Sequence, residues 1–218
     1  MPIANGFLTE DEFENEFFYN LAVGYCYDCE MVQLAELVPP EKLFTDKYPF
    51  FTSSSRNMIK HFAEMAEWIA IDLTPGAIKR PLVVELGCND GTLLTELRAY
   101  PEIRTLGIEP STNVAEIAII NGHNVVTEFF TEGTAQGIVE EYGQADVIVA
   151  TNTMCHIPDL HEVFKGFQVL LKPDGYIVFE DPYWYAITAQ TSFDQIYDEH
   201  VYYFTVKAVD DLASKYCF

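Results

Sequence analysis

Basic residues are scarce in this chain. Its 218 residues include 12 lysines and arginines against 34 aspartates and glutamates, a formal net charge of −22. A surface of that sign repels phosphate backbones and anionic headgroups, so nucleic acid and membrane surface are excluded as first partners. Long apolar runs are missing as well. None approaches the ~18 residues that would span a bilayer, and the opening MPIANGFLTEDEF lacks the basic and then apolar stretches of a secretory signal. The expectation is a cytoplasmic protein. The five cysteines are an odd number scattered along the chain, which fits reduced thiols better than a disulfide framework. Cys26 and Cys29 alone are spaced like metal ligands. There is no internal repeat and no low-complexity tract.

What is present suffices for a full domain and a smaller module, since 49% of the residues are hydrophobic. Residues 1–55 are rich in aromatics, acids and turn formers, and VPPEKL and KYPFFTSSS interrupt any long regular element. They read as an accessory module. From Arg56, NMIKHFAEMAEWIAIDL repeats apolar residues at helical spacing, with Ser54 or Ser55 placed to cap the helix. Over residues 56–218, strand-like runs then alternate with helical ones. PLVVELG, TLGIEP, NVVTEFF, ADVIVATN and GYIVFEDPY are the strands, and TLLTELRAY, NVAEIAIIN, TAQGIVEEYG and HEVFKGFQVLL are the helices between them. That alternation predicts an α/β fold, a doubly wound and mostly parallel sheet of Rossmann-like type.

In VVELGCNDGTLL an apolar strand ends in Gly87, Cys88, Asn89, Asp90 and Gly91 and passes directly into a helix. Ligands of open parallel sheets lie at the carboxyl ends of strands, and glycines there let the backbone approach a bound molecule. A dinucleotide would want G-x-G-x-x-G and bare amides for its pyrophosphate. This loop lacks the later glycines and places acids, Glu85 and Asp90, where a diphosphate would be repelled. A sulfonium carries positive charge and no phosphate, so S-adenosylmethionine fits better. Glu109 ends the next strand, where an acid can accept both ribose hydroxyls. Glu128 and Phe129, in TEFF, are placed to meet an adenine amino group and stack on its ring. Pro110, beside Glu109, and Asn152, closing ADVIVATN, complete the expected pocket.

Taken together, CYDCEMVQL, VPPEKLF, YPFFTSSS, VVELGCNDGTLL, GIEPSTNVA, ADVIVATNTMCHIPDLHEVF and FDQIYDEHVYYF cover most of the chain in order. On these motifs it resembles the sugar C-methyltransferases that act on nucleotide-linked 4-keto-deoxysugars with S-adenosylmethionine. The resemblance implies a zinc module with four cysteine ligands, a methyltransferase domain and a further C-terminal domain. Cys26 and Cys29 match the second cysteine pair. The first pair has no counterpart, and two thiolates do not close a tetrahedral site. The chain reads as a fragment or a shortened relative of a longer protein.

Methylating carbon beside a ketone requires a base, donors for the developing oxyanion and an aligned methyl group. The resemblance assigns His200 as base, Glu199 to orient it or to contact the sugar, and Tyr197 as a hydroxyl near the carbonyl. It makes His156 a second histidine of the site and Tyr48 a further tyrosine near the substrate. Where the family has YHEH this chain has YDEH, so Asp198 adds a charge. Arg56, Lys60 and Arg80 are candidates for the nucleotide phosphates. Two other readings stay open: methylation of a small-molecule oxygen or nitrogen, and a non-catalytic remnant that keeps the cofactor pocket.

Overall fold

A computed structural model describes residues 1–76 and 79–218. The N-terminal segment forms a hairpin of β1 (Val23–Tyr25) and β2 (Val32–Leu34), then one helical turn, α1 (Pro40–Leu43). Pro40 suits the first position of that turn, where no amide hydrogen is needed. The first long helix is α2 (Arg56–Trp68), and Ser55 caps it by accepting the Met58 N–H over 3.3 Å. It runs on as a π-helical turn, Ile69–Leu73. Phe62, Ala66, Ile69 and Leu73 recur at intervals of three and four and are buried with Val83, Leu93, Leu97, Val147 and Val149.

The expected alternation follows as β3 (Leu82–Leu86), α3 (Thr92–Leu97), β4 (Arg104–Ile108), α4 (Thr112–Ile120), β5 (Val125–Val126), α5 (Glu132–Tyr142), β6 (Ala145–Thr151), α6 (Leu160–Leu170) and β7 (Leu171–Glu180). The strands form one sheet in the order β5-β4-β3-β6-β7, and the β3/β4, β3/β6 and β4/β5 ladders are parallel. Every residue of β3 and β6 is buried, as expected of strands covered on both faces. The chain winds outward from β3 to β5 and then returns to β6 on the other side. The switch point therefore lies at the ends of β3 and β6, where such sheets bind ligands. At the opposite end Asp146 ties strand starts together, accepting the Leu82 N–H at 2.8 Å and the Lys172 ammonium at 2.7 Å.

The remaining elements are α7 (Trp184–Gln190), β8 (Tyr202–Tyr203) and α8 (Val206–Lys215). β8 pairs antiparallel with β2, with Val32 opposite Tyr203, and extends the hairpin to three strands. Val32, Leu34, Ile187 and Tyr203 make the core of this part, and Tyr19, Val38 and Leu43 form a second cluster. The chain thus divides into two compact units. The first comprises Met1–Phe44, Asn152–Leu160 and Glu180–Phe218; the second comprises Thr45–Thr151 and His161–Phe179. The β2–β8 pairing joins segments far apart in sequence, and no local periodicity announces it.

Two constraints inside the second unit can be tested. A Cβ at Gly107, on β4, would stand 2.4 Å from Cys88 Sγ, 2.9 Å from Cys88 Cβ and 3.0 Å from Leu94 Cδ1. Gly107→Ala should therefore cost about 1–3 kcal/mol by overpacking, read by chemical denaturation. Adding Cys88→Ala should leave the double variant less destabilised than the sum of the two changes. Glu85 is the one acid within β3, 2% exposed. Burial pushes its carboxyl pKa well up, and the nearby charges of Glu109 and Asp90 push it further. Above the unfolded carboxyl range, near ~4.3, folding must take up a proton at Glu85, so stability falls as pH rises. Glu85→Gln is expected to raise the thermal midpoint more at about pH 8 than at about pH 5.

Candidate active site

The glycine loop lies in the second unit and is held from below. Gly87 N–H and Cys88 N–H both donate to Ile108 O, at 2.8 and 3.1 Å. Gly87, Asn89 and Gly91 all have positive φ, at 67°, 50° and 78°. At Gly91 a Cβ would meet His123 Cδ2 at 2.8 Å, so this turn also depends on the absence of a side chain. Cys88 is buried beneath the loop and its thiol pKa is pushed well up by burial, which makes it a packing residue. Glu109 accepts the Asn89 N–H at 3.0 Å with one carboxylate oxygen and the Ser111 N–H at 2.8 Å with the other. Burial raises its pKa, and those two donors pull it back.

The side chains of Asn89 and Asp90 hold the YPFFTSSS segment. Asn89 accepts from Thr52 N–H and donates to Phe50 O, both at 3.0 Å, and Asp90 accepts from Ser53 N–H at 2.9 Å and from the Thr92 hydroxyl at 2.7 Å. What Asn89 presents to a ligand is therefore mainly backbone. Glu128 and Phe129 follow β5 in a loop and are exposed; the strand is shorter than TEFF suggests. Pro110 is half-buried, and Tyr48, also half-buried in this unit, packs edge-on against Phe50 at 5.7 Å. His123 was not foreseen here. It is buried under Gly91, shares a 2.9 Å hydrogen bond with Thr95 Oγ1, and its pKa is lowered by burial and then by Arg98.

The first unit gathers His156, Tyr197, Glu199 and His200. His156 sits in a 3₁₀ turn, Met154–His156, after β6. FDQIYDEHVYYF begins as another such turn, Phe193–Gln195, and pairs as strand at Tyr202–Tyr203 alone. The imidazole rings of His156 and His200 are 5.1 Å apart between centroids, and Tyr197 is 4.4 Å from His200. His200 Nδ1 lies 2.8 Å from Gln195 O, and His156 Nδ1 lies 2.8 Å from Glu199 O. A carbonyl can only accept, so both Nδ1 atoms carry hydrogen, and Nε2 of neutral His200 holds a lone pair. Burial lowers the pKa of His200, partly offset by the Gln195 carbonyl and by Asp198. His156 is lowered to about 4, first by burial and then by His200. Tyr197 is pushed far up by burial and by Glu199, so it stays a phenol and a donor.

Asp198 and Glu199 are 0% and 1% exposed. Asp198 accepts the Ala4 N–H at 3.0 Å, and Glu199 accepts from the Asn5 side-chain amide at 2.6 Å. Asn152, also in this unit, has φ 49° and donates its N–H to Glu180 O. Asp181, missed from sequence, accepts the Cys155 N–H at 3.1 Å, and burial raises its carboxyl pKa to about 6. Cys26 and Cys29 are free thiols in the β1–β2 turn, and the Cys26 pKa is lowered by hydrogen bonds from the Cys29 and Asp28 backbone. Among the described residues, the group of three ligand-bearing side chains close enough to share an ion is Cys155, His156 and His200, within 4.8 Å of one another. Cys26 and Cys29 thus supply two ligands and not a closed zinc site.

A family model described as "Methyltransferase domain" matches residues 56–218, and one described as "Putative zinc binding domain" matches residues 1–44. The C-methyltransferase NovU of Streptomyces niveus is 32% identical over 208 residues, 94% of this chain and 48% of that protein. The ubiquinone biosynthesis O-methyltransferase of Bordetella avium (strain 197N) is 27% identical over 115 residues, 52% of this chain and 46% of its own. The chain spans about half the length of these curated relatives. Among solved structures, a SAM dependent methyltransferase from Archaeoglobus fulgidus superposes with a TM-score of 0.59 at 16% identity, over 77% of this chain and 71% of that one. The plantazolicin methyltransferase BamL, in complex with a triazolic desmethylPZN analog and SAH, superposes with a TM-score of 0.58 at 12% identity, over 76% and 65%. The chain belongs to the methyltransferase family and has the sheet architecture of its S-adenosylmethionine-dependent members.

Proposed function

We propose that this chain transfers a methyl group from S-adenosylmethionine to carbon, at the position beside the ketone of a nucleotide-linked 4-keto-deoxysugar. The observation that carries the reading is the pinned tautomer of His200, which leaves Nε2 basic beside the phenol of Tyr197. The likeness to a C-methyltransferase over 94% of the chain supports carbon as the acceptor. The buried acids Asp90 and Glu109, at the carboxyl ends of β3 and β4, favour a cationic cofactor over a diphosphate.

S-adenosylmethionine supplies an electrophilic methyl on positively charged sulfur. Glu109 suits the ribose hydroxyls, because each of its oxygens keeps acceptor capacity beyond its one backbone donor. Phe129, exposed after β5, offers a stacking face. On the acceptor, His200 Nε2 takes the acidic C–H proton, and the electron pair moves onto the carbonyl oxygen. Tyr197, kept protonated by its surroundings, donates to that oxygen. Glu199 and His156 line the same cluster, and Glu199 orients it through its carbonyl bond to His156. The enolate carbon would supply the pair for the new C–C bond to the methyl group of bound S-adenosylmethionine, with the C–S bonding pair staying on sulfur, and the proton stays on His200 until it passes to water. Tyr48, Pro110, Asn152 and the backbone of the Gly87–Gly91 loop are assigned in this reading to substrate or cofactor contacts. Zinc at Cys26 and Cys29 requires two ligands from elsewhere.

Labelled S-adenosylmethionine with nucleotide-linked 4-keto sugars tests this reading, and product NMR locates the methyl. Label on oxygen or nitrogen would overturn it. His200→Ala should lose on the order of 10²–10⁴ in transfer rate; retention of the parent rate would remove the base. Because burial holds the His200 pKa below its ordinary value, the imidazole is neutral throughout the neutral range, and protonation silences it only on acidification. The acid limb of kcat/KM should therefore fall below the usual histidine pKa of ~6.5, as measured in a pH–rate profile.

A further inference from the structure

We propose that Asn5 is a positioning residue of the active site, and that the N-terminal segment through Tyr19 is the platform that holds it. The inference rests on the carbon-methylation reading above. Two adjacent residues of the N-terminus grip two adjacent residues of the catalytic loop, across 194 positions of sequence. Ala4 N–H donates to Asp198 Oδ1 at 3.0 Å, and Asn5 Nδ2 donates to Glu199 Oε1 at 2.6 Å. The Tyr19 hydroxyl adds a longer contact to the same Asp198 oxygen, 3.4 Å.

Each partner is itself fixed. Tyr19 is 4% exposed in a cluster with Val38 and Leu43, and Ile3 packs against it. Tyr19 N–H donates to Met1 O at 2.9 Å, the terminal ammonium donates back to Tyr19 O, and Pro2 bridges Phe18. The segment thus folds on itself before it meets the loop. On the other side, Glu199 also accepts the His156 Nδ1–H through its carbonyl oxygen. Asn5 therefore sets the carboxylate of the residue whose backbone sets one imidazole and whose neighbour is the other. An ionised carboxylate only accepts, so the amide nitrogen of Asn5 must face it. Asp198 acquires a clear task as well. Its side chain is the acceptor for an otherwise unmet backbone amide and a tyrosine, which ties the loop to the platform independently of any proton transfer.

The test compares Asn5→Ala, Asn5→Asp and His200→Ala with the parent in the full chain. Thymidine-diphospho-4-keto-6-deoxyglucose serves as acceptor probe, and NMR in D₂O follows exchange of the hydrogen beside the ketone alongside kcat, KM for S-adenosylmethionine and the thermal midpoint. Asn5→Ala should lower exchange and kcat by roughly tenfold or more, since misplacement of a catalytic group is that costly. Asn5→Asp should be lower still, because it sets a like charge against Glu199. KM for the cofactor should stay at the parent value in both, while the thermal midpoint falls in both, because one loses a partly buried hydrogen bond and the other gains a like charge; assays well below either midpoint read folded protein only. The proposal is overturned if, among folded molecules, both Asn5 variants exchange at the parent rate while His200→Ala does not, or if the cofactor KM rises as much as kcat falls. Undiminished exchange in His200→Ala would instead remove the base beneath the reading, and the role of Asn5 with it.

Discussion

One hydrogen bond decides which nitrogen of His200 is basic. Nδ1 donates to the Gln195 carbonyl over 2.8 Å, and because that oxygen has no hydrogen to return, Nε2 is left with its lone pair. Burial then disfavours the imidazolium, so the ring rests neutral. In the proposed carbon methylation, Tyr197 and Glu199 would serve because that orientation is settled first. A phenol that resists ionisation can stabilise an enolate oxygen, and a carboxylate held by Asn5 keeps its place while protons move nearby.

The electrostatic character of the two clusters differs. At the carboxyl ends of β3 and β4, Asp90 and Glu109 are buried and accept backbone hydrogen bonds, whereas desolvation holds Glu85, within β3, in its protonated form. Such a set suits a ligand that brings its own positive charge. Around His156 and His200 the imidazoles are neutral, and the adjacent acids are bound to the N-terminal segment. The base proposed to take a proton from carbon would gain from that neutrality, since it starts unprotonated.

The sheet was legible from sequence because its strands are buried on both faces and read as continuous apolar runs, as LVVEL and ADVIVAT show. The Ser55 cap and the apolar stripe of α2 were legible for the same local reason. The gathering of His156 with Tyr197, Glu199 and His200 was expected from motifs rather than from periodicity. Less visible were contacts that depend on chain ends meeting distant loops. Nothing in PIANGFL shows that Ala4 and Asn5 reach Asp198 and Glu199, and nothing in TSSS shows that Thr52 and Ser53 lie on Asn89 and Asp90. The two-unit division escaped composition because β8 completes the sheet of the N-terminal hairpin. His123 escaped because a histidine after a helix looks like a surface residue, yet the bare backbone of Gly91 leaves room for its ring.

Nitrogen-15 NMR of the histidine side chains reads the decisive proton directly. At neutral pH the His200 Nδ1 resonance should be that of a protonated ring nitrogen and Nε2 that of an unprotonated one, with no imidazolium signature. A ring protonated at Nε2, or at both nitrogens, would leave no base facing the acceptor and would contradict the proposed chemistry.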